Sequence, residues 1–144
     1  HLSIFKERLK GYLAALKKYK VPVNKKLILS CENFEDDALK NIHLLFSQKP
    51  FPDAVFAIND ASAIILIKYL NKKGIKIPEE VAVIGFNNDH ISEIIEPALT
   101  TIMLPCADIG HIAVDILVRR INDPNQLPQT VTLHSNLIIR DSSQ

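Results

Sequence analysis

The sequence has no long apolar run, no excess of charge of one sign and few cysteines, and each shortage excludes something. The longest apolar stretch, AIILI at 63–67, is far short of the roughly 20 residues a membrane-spanning helix needs. No basic-then-apolar leader opens the chain, so a cytoplasmic location is expected and no membrane partner. Seventeen Lys and Arg face sixteen Asp and Glu, leaving a net charge of +1. That balance argues against a domain whose main work is gripping phosphate backbones. Cys31 and Cys106 have neither CxxC nor metal spacing and adjoin apolar sequence, so they read as small buried thiols in a reducing compartment. GxGxxG, P-loop and HExxH patterns are missing, which removes the usual nucleotide and zinc readings and leaves no cofactor or metal expected. His43, His90, His111 and His134 fall on separate elements with no nucleophile motif beside them, so no enzyme is expected. Solenoid-period repeats and low-complexity tracts are also lacking.

The residues that are present describe an ordinary globular chain. Of 144 residues, 47% are hydrophobic and 23% charged, enough for one domain with a real core. Phe5, Leu9, Tyr12, Leu13 and Leu16 recur at helical spacing. The run KLILSC (26–31) reads as a buried strand, and Leu39, Ile42, Leu45 and Phe46 mark a helix behind an acidic start that suits the helix dipole. The unit then repeats as the strand DAVFAI (53–58), Asp60 as N-cap, a helix to Lys73, Gly74 at its C-terminal turn, and the strand VAVIGF (81–86). Helix-then-strand units in succession predict an α/β fold, a three-layer parallel sheet with helices on both faces. After Phe86 come a helical turn (HISEIIEP), an extended LTTIMLP, a long helix from about Cys106 to Ile121, and a strand TVTLHSNLIIR (130–140). Doubly wound folds open on a strand and this chain opens on a helix, so an N-terminal part of a longer protein is expected before His1.

Ligands of open parallel sheets bind beyond the carboxyl ends of the strands, where loops converge. Those ends are Cys31 to Phe34, Asn59 with Asp60, and Asn87 to Asp89, and the first helix brings Arg8 to the same rim. An arginine fork, carboxamides and an aromatic face suit a small polyhydroxylated or carboxylated molecule. Two plainer roles compete, namely helix capping by Asn59 and Asp60 and loop fixing by Asn87. Lys6, Lys10, Lys17, Lys18 and Lys20 form a solvated helix face. The helix ASAIILIKYLNKK is apolar over more than one face, which allows either homodimerisation or a wholly internal core.

Five collinear stretches, PDAVFAINDASAI, GIKIPEEVAVIGFNND, PALTTIMLP, IGHIAVDILVRRI and the closing LIIRDSS, resemble the effector-binding domain of the LacI/GalR (lactose-repressor/galactose-repressor) family of transcription regulators. The resemblance covers essentially the whole chain. It implies a type I periplasmic-binding-protein-like fold of two lobes closing on a sugar-like effector, of which this chain would be the C-terminal lobe. The implied boundaries are residues 1–104 for that lobe, 105–128 for a helix packed on an N-terminal lobe, and 129–144 for a returning strand and C-terminus. Operator DNA would be bound by a homodimer through a head outside this sequence. Arg8, Phe34, Asn59 and Asn87 match effector contacts of the family, with Asn33 a rival for Phe34 because the spacing differs by one residue. Asn87 stands where many members carry aspartate, and the amide keeps an acceptor while giving up charge. The family's transport relatives imply an alternative, a periplasmic sugar-binding protein. The apolar stripe Ile109, Ile112, Ala113, Ile116 and Leu117 is expected to repack, exchange between chains or lose order when its usual cover is missing.

Overall fold

The computed structural model describes residues 3–30, 34–47 and 49–144. In chain order the elements are α1 (Ser3–Lys18), α2 (Phe34–Phe46), β1 (Ala54–Phe56), α3 (Asp60–Lys73), β2 (Ala82–Ile84), α4 (Ile91–Ile94), β3 (Thr101–Met103), α5 (Cys106–Asn122) and β4 (Asn136–Ile138). Short 3-10 turns occupy Lys25–Leu27 and Asp141–Ser143.

β1 and β2 pair in parallel with Val55 opposite Val83, as two apolar runs joined by a crossover helix must. Beyond β2, Gly85 N–H donates to the Thr100 carbonyl and Asn87 N–H to that of Ile102, both at 2.9 Å, joining β2 to β3 in parallel. β3 then pairs antiparallel with β4, Ile102 opposite Leu137. The chain is α/β with parallel strands as expected, but its last strand runs antiparallel.

α3 supplies half of the buried core cluster. Ala63, Ile64, Leu66, Ile67 and Leu70 are buried against Val81, Val83 and Leu99, with Ile42 of α2 in the same cluster. Asn59 caps the start of α3, its Oδ1 accepting from Ser62 N–H. Gly74 ends the helix at φ +69°, where its N–H reaches the Leu70 and Asn71 carbonyls and a side chain would be strained. Ile65 and Tyr69 pack at the edge of this cluster, and Tyr69 meets the His43 ring edge-on at 5.1 Å between centroids. Both apolar faces of α3 are thus used within the chain.

Three expectations are corrected. The run 26–31 forms no strand among its described residues. Asn24 Oδ1 accepts from Lys26 N–H and winds a 3-10 turn, and Asn41 Nδ2 takes up the Ser30 carbonyl, so local side-chain bonds replace a ladder. Of the expected strand 130–140, only Asn136–Ile138 pairs, because β3 offers three residues as partner. Cys106 is exposed at the start of α5 rather than buried, and Cys31 lies outside the described residues.

α5, like α1, buries none of its described residues. It is an unbroken helix, and of the expected stripe Ile109, Ala113 and Leu117 are exposed while Ile112 and Ile116 are half-buried. The single chain therefore neither repacks this stripe nor unwinds it. Its accessible surface is 10541 Å², against about 7,500 Å² for a compact monomer of 16.2 kDa.

Candidate functional site

The carboxyl ends of β1 and β2 meet α1 at one rim. Arg8, two turns into α1, lays its guanidinium over the Phe86 ring, 3.7 Å from the centroid. Its Nη1 donates to the Ile58 carbonyl at the end of β1. An arginine plane on an aromatic face is held by quadrupole attraction and by its weak hydration. Burial pulls the guanidinium pKa below its ordinary value. Arg8 Nε is buried with no hydrogen-bond partner among the described residues, and so is Ser62 Oγ in the first turn of α3.

Asn59 spends Oδ1 on its capping bond, so the expected capping role is real for this residue. Its amide nitrogen makes no hydrogen bond among the described residues. Asp60 does not cap. Fully buried, it accepts from Thr101 Oγ–H at 2.6 Å through Oδ1 and from Asp89 N–H at 2.7 Å through Oδ2.

Asn87 and Asn88 both have positive φ, 123° and 60°. They divide the two roles that the sequence leaves open. Asn88 fixes the loop, its Oδ1 accepting from Arg140 Nη2 at 2.9 Å and its N–H pointing to Thr101 Oγ at 3.3 Å. The Asn87 side chain makes no hydrogen bond among the described residues, while its backbone is tied to β3. Asn87 is thereby left available at the rim beside Phe86.

Arg8, Asn59 and Asn87 are brought together around Ile58 and Phe86. Phe34 begins α2, with its side chain outside what the structure describes, as Asn33 is. Sequence reasoning missed Phe86, Ser62 and Arg140. Phe86 had a signal, an aromatic next to the polar strand end. Arg140 had none in its own neighbourhood, because it reaches the loop from the far end of the chain, also donating to the Leu99 carbonyl at 2.8 Å and pairing with Glu93 at 2.8 Å.

A parallel α/β frame with a cation, carboxamides and an aromatic at its strand ends is the frame of a periplasmic binding protein-like domain. The chain belongs to that family, whose pattern matches residues 1–143. Within it, the relatives place the chain as an effector-domain fragment of the LacI/GalR type. It is 36% identical over 137 residues to the HTH-type transcriptional repressor PurR of Vibrio vulnificus, covering 94% of this chain and 41% of that protein. It is 29% identical over 140 residues to the ribose operon repressor of Haemophilus influenzae, covering 97% and 42%. Among solved structures, the complex of the transcriptional regulator CelR with cellobiose superposes with a TM-score of 0.86 at 30% identity, covering 95% of this chain and 42% of that one. The chain thus spans about two fifths of the length of these relatives.

Proposed function

We propose that the chain is the effector-sensing part of a LacI/GalR-type transcription regulator, binding a sugar or related small metabolite at the rim of Arg8, Phe86, Asn59 and Asn87. One observation carries the reading. A guanidinium is fixed where two strand ends converge, and its Nε is buried and unpaired among the described residues. A buried donor without a partner costs about 1–3 kcal/mol, so a ligand oxygen supplied there is strongly favoured. Phe34 would add a stacking face from the start of α2.

In this reading residues 1–104 and 129–144 form one lobe, and α5 within 105–128 covers a second lobe. What supports a second lobe over α5 is that none of its described residues is buried although its apolar residues recur at helical spacing. α1 is equally unburied and in this reading belongs to the first lobe through the Arg8 contacts to Ile58 and Phe86. The full protein would act in the cytoplasm as a homodimer and reach operator DNA through a separate head. An effector that prefers one lobe arrangement shifts operator affinity by a coupling of about 1–3 kcal/mol. Repressors among the relatives favour this reading over the transport alternative.

The test is Arg8→Ala in the full-length protein, with ribose and cellobiose as probes and operator affinity read by fluorescence anisotropy. The effector response should fall about ten-fold or more with operator binding unchanged, as loss of a charge-assisted contact does. Collapse of operator binding itself would make Arg8 structural and sink the proposal.

A further inference from the structure

Asp60 is a carboxylate with no access to solvent, and it lies one residue from Asn59 and under the loop that carries Asn87. Each of its oxygens is committed. Oδ1 accepts from Thr101 on β3 and Oδ2 from the Asp89 backbone. Its own N–H donates to the Phe86 carbonyl at 3.0 Å. One residue therefore clasps both sides of the corner Asn87–Asn88, where two consecutive non-glycine residues sit at positive φ. Such backbone costs about 1–3 kcal/mol per residue and persists only where the surroundings over-determine it. The room for the clasp comes from Gly85, where a Cβ would lie 2.2 Å from Asp60 Oδ1.

We infer that Asp60 is a positioning residue. Without touching a ligand, it sets the left-handed corner that leaves the Asn87 side chain free while Asn88 is turned inward to Arg140. A capping acid could sit at the same place in sequence, but it would bond the first turn of α3, and here Asn59 does that. Arg140 also grips Asn88, so it is the rival for setting the corner. The inference rests on the effector reading only for what Asn87 finally contacts.

The experiment compares Asp60→Ala, Asp60→Asn and Thr101→Val with the native full-length protein by amide exchange and by the HN–Hα couplings of Asn87 and Asn88, which report φ. In Asp60→Ala the Asp89 amide should exchange about ten-fold faster and both couplings should change, while the Ile67 and Leu70 amides of the core keep their protection. Asp60→Asn, which still accepts from Asp89 N–H, should restore most of the native pattern. Should Asp60→Ala fail to fold, Thr101→Val decides on the same readouts, with smaller changes expected. Unchanged couplings with a protected Asp89 would assign the corner to Arg140 and overturn the inference, as would equal acceleration at Ile67 and Leu70, which would make Asp60 a fold residue only. Ribose or cellobiose, whichever raises the melting temperature of the native protein, should bind about ten-fold more weakly to Asp60→Ala. Arg8→Ala should weaken it too, yet leave the loop readouts native. If neither sugar binds, the effector reading loses its support while the couplings and exchange rates still decide the role of Asp60.

Discussion

Gly85 and the two asparagines after Phe86 show how much can turn on one side chain. A methyl group at residue 85 would meet Asp60 Oδ1 at 2.2 Å and Leu99 Cδ2 at 2.9 Å. Both neighbours are fully buried and neither has space to withdraw. Gly85→Ala is therefore expected to cost about 1–3 kcal/mol, seen as a lower melting temperature. A neutral result would mean that the Asp60 clasp is loose. That one of Asn87 and Asn88 would serve the loop was legible in the sequence, but which one was not. The partner that holds Asn88, Arg140, lies 52 residues further along the chain, where no local pattern points to it.

At the scale of elements, α3 and α5 have comparable apolar content and opposite fates. Leu70 is fully buried within the cluster that joins α3 to Val81, Val83 and Leu99. Leu70→Ala should destabilise the chain by about 2–5 kcal/mol in urea unfolding, the usual cost of a cavity in a packed site. α5 has no such neighbours. Periodicity located α1, α2, α3 and α5 correctly because apolar spacing fixes a helix whether or not something covers it. It failed over the described residues 26–30, where the apolar run was right for a strand but the Asn24 side chain offered the backbone a local partner. The length of the last strand was equally out of reach, because a strand is only as long as the neighbour that pairs with it.

For the whole molecule, the large accessible surface and the bare stripe of α5 belong together. Leu117 and Ile121 are 58% and 68% exposed. Replacing both by Lys should leave the stability of the isolated chain within about 0.5 kcal/mol in denaturant unfolding, as changes at exposed sites do. In the full-length protein the same pair should be destabilising, if α5 covers a second lobe. A large loss already in the isolated chain would show that copies of it cover the stripe among themselves, which sedimentation would reveal as a dimer.

Composition, apolar spacing and turn residues alone determined the class of fold, the helices and the strand-end rim near Arg8, Asn59 and Asn87, and five collinear motifs carried the resemblance to regulator domains. These are local or patterned properties, written in consecutive residues. Only the tertiary structure decided that Asp60 clasps Thr101 and Asp89 instead of capping α3, that Phe86 carries the Arg8 guanidinium, and that Asn88 rather than Asn87 is tied down. Each of these joins residues separated by dozens of positions, and such pairs meet only once the strands have been brought into register.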